Sequence, residues 1–277
     1  MLPKPVGEAV GRYLGRVDRD LPQRIQGFYV VGSTALGGFR PNDSDIDFVA
    51  AVATALDQHE LEVLGSVQRR LYRSAVAAIP LSLPRRWPLV CNGVFVEWND
   101  LTKSALEVIP IASHVGGEFS IGRGFDVNPV TWRILADRGI AVRGPAPSLL
   151  HVYRDDVELR NWTLGNLDTY WRRWAKDVRA GHGWPALKAL LRRYVAWGVL
   201  GASRMHFTIA TGNIASKEEA GVYALGVFGK RWHLVLEDAL AYRRGLRSSG
   251  GYRNPYARRR DAAAFVMTVI ESALPHP

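Results

Sequence analysis

The sequence predicts an α/β unit, a mixed sheet with flanking helices, followed by an all-α helical bundle. Two observations carry this. Short apolar runs alternate with amphipathic helical segments up to Gly144-Pro145-Ala146-Pro147, and every apolar pattern after that turn has a helical period. Two prolines and a glycine stop regular structure there, so the expected domains are 1–147 and 148–277.

In the first half, residues 5–21 carry Val10, Tyr13, Leu14 and Val17 on one helical stripe. Residues 28–31 read as a strand, 48–52 as a second and 90–98 as a third by β-branched and aromatic content, with a long helix over 56–78 between the last two. Residues 113–128 are glycine-rich and aperiodic, which predicts a loop at the mouth of the site. A helix over 130–138 and a short strand at 140–142 close the unit. The helical half reads as helices over 157–177, 185–210, 217–225, 231–244 and 261–274, with a basic loop at 248–260.

The chemistry is concentrated between the first two strands. Gly32-Ser33 ends the first strand, a glycine-rich turn follows, and Ser44-Asp45-Ile46-Asp47 opens the second. Successive side chains of a strand point to opposite faces, so Asp45 and Asp47 share one face and Ile46 and Phe48 the other. Two carboxylates on one face form a hard oxygen site suited to Mg²⁺, and metals held so can clamp both oxygens of an in-line displacement at phosphorus. Gly32 lets the backbone approach a phosphate, to which Ser33 and Ser44 can add hydroxyls. This is the metal and phosphate apparatus of a nucleotidyltransferase. Glu97, at the end of the third strand, is the expected third carboxylate, as metal ligand or general base, with Asp100 as its competitor.

Four motifs in order resemble the streptomycin/spectinomycin 3″(9)-O-adenylyltransferases, members of the DNA polymerase beta-like nucleotidyltransferase superfamily. They are Gly32-Ser33 with Asp45-Ile46-Asp47; Val96-Glu97-Trp98, similar to the family's "GEW"; Thr211-Gly212-Asn213-Ile214-Ala215-Ser216-Lys217, similar to "TGKIAPK"; and Leu236-Glu237-Asp238-Ala239-Leu240-Ala241-Tyr242, similar to "LEARQAY". The resemblance implies transfer of AMP from ATP to a hydroxyl of an aminoglycoside-like small molecule. It implies Glu97 as catalytic base, Lys217 on the nucleotide phosphates and Tyr242 near the nucleotide. Ser216 and Glu219 have capping-box spacing, which puts Lys217 in a helix's first turn, where backbone N–H groups favour phosphate.

The run 184–210 departs from that pattern: it contains no Asp or Glu and is rich in Lys and Arg, whereas the family carries drug-facing acids there. Asp155, Asp156, Glu158, Asp168 and Asp177 stand upstream as substitutes. Trp162 and Asn166, a helical turn apart beside Asp168, are the expected cleft residues for a sugar or ring.

The net charge of +10 leaves RNA as an alternative acceptor, though much of the basic charge is periodic helix surface. A protein side chain as acceptor, or a silent nucleotide-binding module, completes the alternatives. The single cysteine, Cys91, excludes an intramolecular disulfide and fits a reducing cytoplasm. No run predicts a membrane span or signal peptide, so no membrane partner is expected.

Overall fold

The computed structural model describes residues 2–41, 43–77, 89–246 and 251–274. Asn42 of the glycine-rich turn and residues 248–250 of the expected basic loop lie outside the described residues. The chain divides into two compact units, Met1–Asp155 and Asp156–Pro277.

The first unit runs α1 (Lys4–Asp20), β1 (Gly27–Val30), α2 (Gly32–Ala35), β2 (Ile46–Val52), α3 (Gln58–Ala77), β3 (Cys91–Glu97), a 3₁₀ turn (Trp98–Thr102), β4 (Ala112–Val115), β5 (Glu118–Ile121), α4 (Pro129–Arg138) and β6 (Ile140–Arg143). Its six strands form one mixed sheet in the order β5-β4-β3-β2-β1-β6. Only β2 and β3, joined by α3, run parallel. Parallel neighbours need a crossover connection, which this helix supplies, whereas antiparallel strands can be joined by a turn.

On one face of the sheet Phe28, Ile46, Phe48, Cys91 and Phe95 form a core with Val6, Val10, Tyr13, Leu14 and Val17 of α1 and Leu64 and Val67 of α3. Phe28 and Phe48, from neighbouring strands, stack with ring centroids 4.6 Å apart. Burying each such ring contributes about 2 kcal/mol or more, so this face fixes the register of the whole sheet. Tyr29, Val49, Val94 and Val96 alternate onto the other face and are buried as well. That second face is the one carrying Asp47.

The predicted loop over 113–128 is half sheet. Its first part folds as the β4–β5 hairpin, turned by Gly116 at φ +58° and Gly117. Two strands this short lack a readable period.

The elements of the second unit, among the described residues, are helical: α5 (Asp156–Asn166), a π-helical turn (Leu167–Trp171), α6 (Arg172–Ala180), α7 (Gly183–Lys188), α8 (Arg192–Thr211), α9 (Lys217–Val227), α10 (His233–Arg243) and α11 (Pro255–Ala273). Its core gathers Leu167, Trp171, Trp174, Val199, Leu236, Phe265 and Val266. Gly198 and Gly201 of α8 lie flat against the indoles of Trp174 and Trp171, so the tryptophans pack as core. The long helix expected over 157–177 carries the π-helical turn, and the segment expected over 185–210 is broken before Arg192. α11 starts at Pro255, inside the expected basic loop, because Asn254 caps it: its Oδ1 accepts from the Tyr256 N–H at 2.8 Å.

Candidate active site

The site is built where β1 hands over to β2. The Val31 N–H donates to the Asp47 carbonyl at 2.9 Å, one step beyond the end of β1. The chain then turns sharply into α2 through Gly32, whose φ of +59° is a left-handed conformation that L side chains avoid. Glycine is required there for a second reason. A Cβ on Gly32 would fall inside the Asp47 carboxylate. The backbone at Gly32 therefore forms a cradle on which the carboxylate rests, and that contact fixes where Asp47 points.

Downstream, the turn is locked by Ser44. Its Oγ accepts from the Arg40 N–H and its own N–H donates to the Arg40 carbonyl, both at 3.0 Å. The buried Ser44 hydroxyl thus shapes the loop that delivers Asp45. Ile46 and Phe48 are buried in the core, which leaves Asp45 and Asp47 together on the opposite face, as their spacing predicts.

The third carboxylate does not fall where the sequence suggests. In the parallel β2–β3 pair, Asp47 lies opposite Asn92 and Glu97 lies opposite Val52. Glu97 is five residues beyond Asn92, about 16 Å along the sheet at the usual rise of a strand. It also has the wrong parity: residues an odd number apart on one strand face opposite sides. Glu97 is thus at the other end and on the other face, and Glu97 as a carboxylate shared with Asp45 and Asp47 is corrected by the register. Its side chain instead caps the 3₁₀ turn, accepting from the Asp100 backbone, while Asp100 accepts from the Glu97 N–H at 3.1 Å. Asp100 is further held by Lys103 at 2.8 Å. Glu97→Gln should leave nucleotidyl transfer within about threefold of the parent, measured as pyrophosphate release, because a cap contributes only about 1 kcal/mol to stability.

Asn92, the residue that does face Asp47, is neutral; its Oδ1 accepts from the Gly116 N–H at 2.8 Å. The acid brought to Asp45 comes from a segment that sequence reasoning passed over. Asp126 lies in the loop before α4, where burial first, and then the Asp45 charge, push its carboxyl above the usual aspartate range. No local pattern marks it, since its neighbours are ordinary loop residues.

Two carboxylates over a glycine cradle suit a hard divalent cation. Among the described residues, no three His, Cys, Asp or Glu side chains are gathered as a ready-made metal cage. Mg²⁺ asks for none, since it usually takes one or two carboxylates and completes its shell with water and substrate phosphates.

In the helical unit the capping box is present: the Ser216 N–H donates to Glu219 at 2.8 Å and the Glu219 N–H to the Ser216 Oγ at 3.3 Å. Lys217 is the first residue of α9. Arg204 of α8 donates to the Ala215 carbonyl at 3.0 Å and so holds the segment leading into that turn. Tyr242 packs against the helical core with the Arg192 guanidinium 5.8 Å from its ring centre. Asp168 is exposed and accepts from Arg172 at 2.7 Å, an i,i+4 pair on its own helix. Trp162 and Asn166 are both half-buried on α5.

Residues 169–271 match the family model described as "Aminoglycoside adenylyltransferase, C-terminal domain". The match lies within the helical unit. None of the curated proteins matches the chain. Among solved structures, the chain is similar to the spectinomycin adenyltransferase AAD(9) from Enterococcus faecialis, determined with ATP and spectinomycin. The TM-score is 0.65 at 15% identity, over 96% of this chain and 99% of that one. The likeness carries the fold, a sheet unit followed by a helical one.

Proposed function

We propose that the chain is a nucleotidyltransferase that moves AMP from ATP to a hydroxyl of an aminoglycoside-like small molecule. The observation that carries the reading is the Asp45–Asp47 pair set on the Gly32 cradle, in a chain whose helical half matches an aminoglycoside adenylyltransferase domain. AAD(9), whose fold this chain shares, was solved with ATP and spectinomycin, which supports ATP as donor and a small polar antibiotic as acceptor.

In this reading Gly32 and Ser33 accommodate the phosphates, and Asp45 and Asp47 hold Mg²⁺. When bound, Mg²⁺ would neutralise the triphosphate and stabilise the leaving pyrophosphate. The acceptor hydroxyl gives its proton to solvent as its oxygen bonds to the α-phosphorus and the α–β phosphoanhydride bond breaks, and pyrophosphate departs. Lys217 and Tyr242 are the helical-unit residues assigned to the nucleotide, Lys217 with the added reason of its place in the first turn of an eleven-residue helix. Ser44 contributes by holding the turn that presents Asp45.

The acceptor's chemistry is constrained by charge. α8 contains no acid, and it opens with Arg192 and Arg193, of which Arg192 is bound to Asp238 at 3.1 Å. Asp168 and Asp177, two of the substitute acids, pair with arginines of their own helix at 2.7 and 3.8 Å. An acceptor with few positive charges suits this surface better than a polycation.

The reading is tested by incubating the protein with ATP, Mg²⁺ and a panel of aminoglycosides and aminocyclitols, and weighing the products. A mass gain of one AMP on an acceptor is expected. Asp47→Ala should lower pyrophosphate release by about 100- to 1,000-fold, since it removes a ligand of the Mg²⁺ that would stabilise the transferring phosphoryl group. Unchanged release in that variant would sink the assignment.

A further inference from the structure

We propose that the outer surface of α1 and α3 binds single-stranded nucleic acid, on the reverse of the sheet from Asp47. This surface is separate from the nucleotidyl-transfer site and does not depend on that reading.

The two helices form one layer. Both pack their apolar stripes on the Phe28–Phe48 face of the sheet, so their other sides look outward. They run antiparallel. Arg24, just after α1, bonds Glu60 in the first turn of α3 at 2.8 Å, while Arg12 of α1 shares a cavity with Leu71 and Ser74, late in α3. Arg12, Arg16 and Arg19 have i, i+4, i+7 spacing and so share one side of α1. Arg69, Arg70 and Arg73 stand on the turns of α3 that bound the same cavity.

Most of these arginines are not neutralised. Elsewhere in the unit Arg24, Arg143 and Arg154 are each held by a carboxylate, of Glu60, Asp18 and Asp137. Arg16 pairs with Asp20 at 3.6 Å. Arg12, Arg19, Arg69, Arg70 and Arg73 are exposed, and among the described residues none has a side-chain ion pair or hydrogen bond. The helix dipole accounts for Arg19 alone, which lies in the last turn of α1; the last turn of α3 has no basic residue. Arg69 and Arg73 are four residues apart, a spacing at which like charges repel. The acids nearby do little to offset them: Asp20 and Glu60 are already paired, Glu62 accepts from Gln58 at 3.1 Å, and Glu8 is exposed a turn before Arg12. An uncompensated row of guanidinium groups on two neighbouring helices is the electrostatic footprint of a polyanion site.

A second feature selects among polyanions. The cavity between the helices has a volume of about 310 Å³, and Arg12, Gln68, Tyr72 and Ser74 are among its lining residues. Tyr72 is half-buried, and its ring is backed by Gly117, where a Cβ would come within 2.8 Å of it. The turn of the β4–β5 hairpin thus holds the ring where it borders the cavity. An aromatic ring beside a row of arginines takes a base by stacking while the arginines follow the phosphates. An acidic peptide or a lipid headgroup has no base to place there.

The test is the fluorescence anisotropy of a labelled single-stranded RNA of about 16 nucleotides, titrated with the full chain between about 50 and 200 mM salt. The variants are Arg12→Ser with Arg70→Ser and Arg73→Ser; Tyr72→Leu; Tyr72→Phe; and a control that removes three exposed arginines of the helical unit, Arg173→Ser with Arg179→Ser and Arg260→Ser. The parent should bind more tightly than about 100 μM at physiological salt. The α1–α3 triple variant should bind at least about tenfold more weakly. Its plot of log affinity against log salt should flatten by about 2, since each phosphate contact on a single strand contributes about 0.7. Tyr72→Leu should weaken RNA binding by about 5- to 150-fold at an unchanged salt slope, the size of one lost stacking contact. It should leave binding of heparin, a polyanion without bases, at the parent value. Tyr72→Phe keeps the ring and should keep the parent affinity, which separates stacking from a folding defect. Parent binding weaker than that limit overturns the proposal. An equal loss in the control variant does so too, because the net charge of the whole chain would then be the cause. Parent-like RNA binding in Tyr72→Leu would reduce the surface to a general polyanion site and overturn its assignment to nucleic acid. Binding to vesicles of anionic lipid but not to RNA would overturn it as well.

Discussion

Gly32→Ala should abolish useful turnover while leaving a folded protein. Residue 32 sits at φ +59°, where an L side chain costs about 1–2 kcal/mol, and its Cβ would overlap the Asp47 carboxylate. The carboxylate must swing away or the turn must open, and in the proposed reaction either movement displaces a group that would hold Mg²⁺ beside the transferring phosphate. A misplacement of about 1 Å at a reacting centre typically costs about 100-fold in rate, so a loss of that size or more is expected in AMP transfer. Thermal unfolding should show a smaller change, about 1–3 kcal/mol, because the Phe28–Phe48 core below the turn is untouched. Measuring both separates the two consequences. Full activity in Gly32→Ala would mean that the Asp47 position is not set by this contact, and the cradle would lose its meaning. Gly37, also at positive φ (+70°), is the control: a Cβ there meets nothing within 4 Å, so Gly37→Ala pays the backbone cost alone.

What was legible in the sequence follows from which forces are local. The Asp45–Asp47 pair could be read directly, because alternation along a single strand assigns both residues to one face without knowledge of any neighbour. Ser216 and Glu219 could be read for the same reason, since a capping box closes within four residues. Glu97 could not. Its place depends on the register between β2 and β3, and that register is fixed by side chains packing across strands, Phe48 and Phe95 among them. A strand-end glutamate after an apolar run is equally consistent with either end of a parallel sheet. The direction of β3 relative to β2 sends its C-terminal end away from the aspartates. Asp126 was invisible for the complementary reason. It meets the Asp45 charge from a loop that Gly124 lets down onto Val94, a contact between residues thirty apart in sequence. The signal available was indirect: Asn128-Pro129 marks a helix start, and the residues just before a capped helix are held more firmly than the rest of a loop.

Lowering the pH should unfold the sheet unit earlier than its carboxylates alone would require, because His114 of β4 is buried among rings. Its centroid lies 5.0 Å from Phe95, 5.1 Å from Phe119, 5.8 Å from Tyr13 and 6.0 Å from Phe48. Burial holds the imidazole pKa down at about 3 against an ordinary 6.5, and its Nδ1 meets the Tyr13 hydroxyl at 3.2 Å. Burial likewise pushes the Tyr13 hydroxyl up, so it stays protonated beside Nδ1. A base whose folded pKa is depressed favours the folded state above its unfolded pKa, and that advantage is lost as pH falls towards the folded value. Stability should therefore decline from about pH 6.5, by about 2–3 kcal/mol at pH 4.5 and up to about 5 kcal/mol near pH 3. The Asp18–Arg143 pair adds to the loss at the acid end, since Arg143 holds the Asp18 carboxyl below its ordinary value. His114→Phe keeps a ring in the cage and removes the titrating group, while leaving Tyr13 without its partner at a cost of about 1 kcal/mol. The variant should be slightly less stable than the parent at pH 7.5 and more stable below about pH 5.5. Denaturant melts at the two pH values measure the crossing. Parallel stability curves for parent and variant between pH 7 and 4.5 would show that the histidine is not held neutral by the core.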